Sequence, residues 1–169
     1  MVDIGTILSG AKRPERTLEL CLRPDLTAKL EDVQRRYAEE KDRPRESLAD
    51  GGNLTQLRDE LEAIKAEAKE HTVVFRFRAL NHYRIQTMAR DLPPRDGVPM
   101  DKQIGYNVDA LTWHLFRECC YEPELTEEQV EHLIGPEDRV GDGVLSPSQW
   151  KRLDETLDAV NFAARDIPF

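Results

Sequence analysis

Aromatic residues are scarce, at 7% of the chain, so any hydrophobic core must be built mainly from Leu, Val, Ile and Ala. No apolar run approaches the roughly 20 residues that cross a bilayer, and residues 1–15 lack the apolar centre of a signal peptide. Neither a membrane partner nor export is expected. Cysteine is equally sparse: Cys21, Cys119 and Cys120 make an odd set with one adjacent pair, a poor disulfide framework that fits a reducing cytoplasm. Excess basic charge is missing too. The formal net charge is -9, which argues against a nucleic-acid backbone as main ligand, since phosphate binding needs clustered Lys and Arg. The pairs Lys12-Arg13, Arg35-Arg36 and Lys151-Arg152 have acidic neighbours and read as solvated faces.

Signatures of chemistry are missing as well. His71, His82, His114 and His132 show neither HExxH nor paired Cys/His spacing. There is no GxSxG elbow, no P-loop and no dinucleotide fingerprint, and Gly141-Asp142-Gly143 is too short to cradle a phosphate. No catalytic residue, metal ligand or cofactor is expected. The nearest approach to a metal site is Asp138 to Ser146, which places Asp, Asp and Gly at positions one, five and six of an EF-hand-like loop. Position three is Val140 and position twelve is Gln149, so two carboxylate ligands are lost and the segment reads as a plain helix connection.

What the chain does contain is helical periodicity interrupted by short alternating runs. Residues 1–15 alternate weakly through Val2, Ile4 and Leu8, which suggests a short strand or a mobile arm. From Thr17 to Leu22, Leu18, Leu20 and Leu22 share one face of a strand, ended at Arg23-Pro24. Leu26, Leu30, Val33 and Tyr37 then form a helical stripe. The breaker-rich segment 42–52 predicts a turn. Asn53 and Gln56 suit a capping box, and Leu54, Leu57, Leu61, Ile64 and Ala68 line a second helix. Thr72 to Leu80 alternates again, with Val73, Phe75 and Phe77 on one face and Val74, Arg76 and Arg78 on the other.

Strand, helix, helix, strand returns both strands to one end, where they can pair antiparallel around a helical hairpin. Two strands alone are marginal, so a third strand from residues 1–15, a covering helix or a strand from another subunit is needed, and the free edge of Val73, Phe75 and Phe77 is where self-association into a homo-oligomer is expected. Beyond Leu80 the pattern is helical. Ile85, Met88 and Leu92 make one face, closed by Pro93-Pro94, and residues 95–106 read as a long loop. Asn107 can cap a helix with Val108, Leu111, Leu115 and Cys119 inward, stopped by Pro123. Thr126 with Gln129, and Ser146 with Gln149, repeat one helix-start signature at a spacing of twenty residues.

The predicted fold class is mainly α with a small β element: a strand–helical hairpin–strand unit over 1–80, followed by a C-terminal bundle of short helices over 81–169. With no active site legible, interest falls on surface. Trp113, Phe116, Phe162, Ile167 and Phe169 are large apolar groups on short helices or the terminal segment, and they are the candidate partner-binding residues.

The order of these segments is similar to one family. RTLELCLRPDL, a charged hairpin and TVVFRFRAL are followed by GYNVDAL, ECCYEPELTEEQVEHL and LSPSQWKRLDETLDAVN. Together, from about Arg16 onward, they resemble the tail assembly chaperones of long-tailed bacteriophages, especially those infecting actinobacteria. The resemblance implies a non-enzymatic protein of the infected host's cytoplasm. Such a protein coats the aggregation-prone tape measure protein, recruits tail-tube subunits and is absent from the mature virion. Many such genes also make a longer frameshifted product. It supplies no catalytic residues. The alternative is a structural component, a tail or head-completion protein, retained in the particle. A third reading, a weak calcium-responsive module, rests on the Asp138 loop alone.

Overall fold

A computed structural model describes residues 3–43 and 52–163. The architecture is mainly α with a small antiparallel sheet. In chain order the elements are α1 (Ile4–Ser9), β1 (Glu15–Cys21), α2 (Pro24–Asp42), α3 (Gly52–Glu70), β2 (Thr72–Arg78), α4 (His82–Asp91), α5 (Pro99–Ile104), α6 (Val108–Cys119), β3 (Cys120–Glu122), α7 (Glu127–Ile134), a 3-10 turn (Glu137–Arg139) and α8 (Pro147–Asn161). The sheet order is β1-β2-β3. Two compact units emerge, residues 19–73 and residues 1–18 with 74–169, so the boundary falls inside β1 and β2. This differs from the expected division after Leu80.

The first unit is the helical hairpin. Proline at the start of α2 needs no hydrogen-bond acceptor there, and Asp25 complements the positive end of the helix dipole. Val33, Leu57 and Leu61 form the buried seam, with Leu30, Tyr37 and Ile64 packed against it. Arg23 reaches Glu67 at 3.9 Å and Arg36 reaches Glu60 at 3.8 Å, which sets the helices antiparallel. These exposed pairs contribute at most about 1 kcal/mol each, so the apolar seam dominates. α3 begins at Gly52, placing Asn53 within its first turn instead of at its cap. Most of the expected turn, residues 44–51, lies outside the described residues.

The second unit is organised by one face of the sheet. Leu18, Phe75 and Phe77 are buried while Val74, Arg76 and Arg78 alternate outward. At this end, Ala79 N–H donates to Pro14 O at 2.9 Å. On the outer face Arg78 bonds Glu15 (2.8 Å) and lies over the ring of Tyr121, whose hydroxyl donates to Glu15 at 3.1 Å. Phe116 of α6 packs on the inner face, its ring centroid 5.9 Å from those of both Phe75 and Phe77.

Three expectations are corrected. α6 stops at Cys119, before Pro123, and Cys120 to Glu122 turn into β3, which pairs antiparallel with β2. β2 is therefore the central strand: β3 pairs beside Arg76 and Phe77, and the rings of Phe75 and Phe77 are buried, so the expected edge of Val73, Phe75 and Phe77 is not a free one along its length. Residues 4–9 are helical instead of extended, because the Asp3 carboxylate caps Gly5 N–H at 3.0 Å and Ile4, Ile7 and Leu8 follow helical spacing.

Asn161 closes the unit. It accepts Leu80 N–H at 3.0 Å, and its amide donates to Leu157 O at 3.0 Å and to Cys119 Sγ at 3.4 Å. Replacing Phe116 by Ala removes the ring that joins α6 to the sheet and should lower unfolding free energy by about 3–5 kcal/mol in urea titration. Asn161→Ala, which strands the Leu80 amide, should cost about 1–3 kcal/mol.

Candidate partner-binding surface

The candidate aromatic residues separate into core and surface. α6 begins at Asn107, whose side chain accepts Ala110 N–H at 3.1 Å, and then buries Leu111, Trp113, Leu115, Phe116 and Cys119. Trp113 is 2% exposed and Phe116 1%, which removes both from a partner-binding role. The indole N–H of Trp113 donates to Gly135 O at 3.1 Å, and the Arg117 guanidinium covers its ring at 5.5 Å. A polar handle satisfied by backbone is how a buried Trp is tolerated.

Phe162 remains on the surface, 52% exposed at the end of α8, where its N–H donates to Asp158 O at 2.8 Å. Tyr83 is 76% exposed, three residues past Leu80, which Asn161 holds next to the end of α8. Among the described residues, Phe162 and Tyr83 are thus the aromatic residues that remain mostly exposed to solvent. Ile167 and Phe169 lie outside the described residues.

Sequence reasoning missed the most strongly coupled polar cluster. Residues 95–106 contain a helix, α5, started by Pro99 and ended by Gly105 at φ 97. Asp101 on it is 1% exposed and accepts from Arg95 Nε at 2.6 Å, Arg95 Nη2 at 3.0 Å and Arg95 N–H at 3.2 Å. Arg95 also donates to Asp109 at 2.5 Å. Gly97, Pro99 and Gly105 gave this stretch the look of a loop, and the signal that was available was Asp101 at the third helical position. The Arg95 guanidinium holds the Asp101 carboxyl down at about 2, below the usual 3.8, and the carboxylate in turn raises the arginine. Burial acts oppositely on α8, where it pushes Asp154 and Asp158 up.

Neither the thiols nor the Asp138 loop gather into chemistry. Burial pushes Cys119 up, and Cys120 to about 11, so both are held as thiols. In the loop, Gly141 N–H donates to Ile134 O at 2.6 Å and Val144 N–H to His132 O at 3.0 Å, folding it onto the end of α7. A Cβ on Gly143 would stand 2.3 Å from Leu133 O, so close approach explains that glycine. Asp142 turns to Arg139 at 3.4 Å. Among the described residues, no three His, Cys, Asp or Glu are placed to hold a metal. No helix there is long and apolar enough to cross a membrane.

No protein-family model matches the chain, and no curated protein or solved structure matches it significantly.

Because the folded-state value of Asp101 is depressed, its contribution is present above pH about 4 and is lost as pH falls through about 2. Asp154 and Asp158, raised by burial, contribute with the opposite sign. Thermal melts from pH 5 to roughly pH 2 should show a steeper fall in midpoint for wild type than for Asp101→Asn, with the variant already lower at pH 7.

Proposed function

We propose that this protein is a non-enzymatic assembly chaperone of a long-tailed bacteriophage. It acts in the host cytoplasm as a homo-oligomer that binds the tape measure protein, keeps it soluble and helps recruit tail-tube subunits. The resemblance of segment order motivates the reading. The observation that carries it structurally is that two aromatic residues, Phe162 at the end of α8 and Tyr83 on α4, stay exposed to solvent. Apolar positions on an amphipathic helix of the client would dock on such groups. The apolar seam of the α2–α3 hairpin is spent on its own packing, so it contributes no groove to the client.

Charge supports the same role. A net charge of -9 keeps many copies soluble while they crowd along one client. Several arginines are tied into short surface pairs, such as Arg84–Glu118 and Arg117–Glu127, and acidic residues outnumber basic ones in the chain.

Co-expression with the tape measure protein should yield a complex and raise the soluble fraction of the client. The double variant Tyr83→Asp/Phe162→Asp should reduce co-purified client about tenfold while retaining the wild-type circular dichroism spectrum. No complex and no gain in solubility would refute the chaperone reading. Abundant copies in purified virions, counted by mass spectrometry, would instead favour a retained structural component.

A further inference from the structure

The short helix α1 is solvated on every side. Each residue from Asp3 to Glu15 is exposed, and Ile4, Ile7 and Leu8 share one face while 65%, 54% and 66% exposed. A helix of six residues is marginal alone, and an apolar stripe in water adds to that cost. Lys12 and Arg13 follow directly, and neither makes an ion pair within 4 Å among the described residues. The segment therefore presents aliphatic groups and then two cations that make no ion pair within 4 Å among the described residues.

A complementary surface lies elsewhere on the same unit. Leu92 and Pro93 at the end of α4, Ala110 of α6 and Pro136 after α7 supply the apolar lining of an open cleft of about 480 Å³. That volume is within the range of ordinary binding pockets. Its rim is acidic. Glu137 engages His114 at 3.1 Å, whereas Glu131 and Asp138 make no ion pair among the described residues. The adjacent cation, Arg139, is occupied by Asp142.

We propose that residues 4–13 of one copy dock in this cleft of a second copy. The α1 stripe would lie on Leu92, Pro93 and Pro136, and Lys12 and Arg13 would face Glu131 and Asp138. Charge complementarity selects a second copy as occupant. Two chains of net charge -9 repel one another, and the Lys12-Arg13 patch meeting the acidic rim replaces that repulsion with attraction. The two surfaces differ, so the contact is head-to-tail and propagates into a ring or an open filament. It stands whether or not the client is a tape measure protein.

Sedimentation velocity on the full chain, over a wide concentration range at low salt, tests the interface. Wild type should show a weight-average sedimentation coefficient that rises with concentration and falls as salt is added. Lys12→Glu/Arg13→Glu and Glu131→Lys/Asp138→Lys should each weaken association about tenfold, and mixing the two variants should restore it, because each retains one wild-type half. All four positions are exposed, so circular dichroism should remain native. Ile7→Asp should weaken association without changing charge at the cleft. A wild type that stays monomeric throughout, association indifferent to both charge reversals, or a mixture that fails to reassociate would each overturn the proposal. Client capture is not part of the readout, so this result and that of the chaperone test are separable.

Discussion

Phe116 rests on Phe75 and Phe77, with both centroid separations at 5.9 Å, and most of the larger unit follows from that contact. It holds α6 against one face of the sheet, and the residues after Cys119 then run beside β2 and complete a third strand. A two-stranded ribbon would be marginal, whereas three strands with one face covered are stable. Once β3 is in place, β2 becomes central and its two Phe side chains belong to the core. Trp113 is buried separately, its indole N–H donating to Gly135 O, so both of these aromatic groups of α6 stabilise the fold.

The Arg95–Asp101–Asp109 cluster does for the α4–α6 connection what apolar packing does for the sheet. A carboxylate that is almost wholly buried requires a full set of donors, and Asp101 finds them in one guanidinium and in the backbone amides of Arg95 and Val108. The connection is therefore ordered by electrostatics over a short span, with α5 closed by a left-handed glycine at Gly105.

With its apolar seams turned inward, the described part of the chain meets its surroundings through a few solvent-facing apolar groups on an acidic body. Phe162 and Tyr83 form one set of such groups and the stripe of α1 another. The chaperone reading uses the first and the head-to-tail interface uses the second, so the two roles do not compete for the same residues. A filament of weak identical contacts along a long client would gain strength through multivalency, with no single tight site required.

Local features were legible because they depend on near neighbours in the chain. The α2 and α3 stripes, the strand alternation around Leu18 and Phe75, and the capping boxes of Thr126–Gln129 and Ser146–Gln149 each follow from spacing and hydrogen-bond chemistry within a few residues. The helical character of residues 4–9 and of α5 was harder to read, since each is a single short turn that depends on one side chain, Asp3 or Asp101. What the sequence alone determined is thus the mainly α class, the helical hairpin and the acidic exterior. Which aromatic side chains are buried, that Cys120 to Glu122 form a strand, and that β2 is central were decided only by tertiary structure. Those outcomes turn on contacts between residues some forty positions apart, and alternation along a strand says which side chains share a face but not what will cover it.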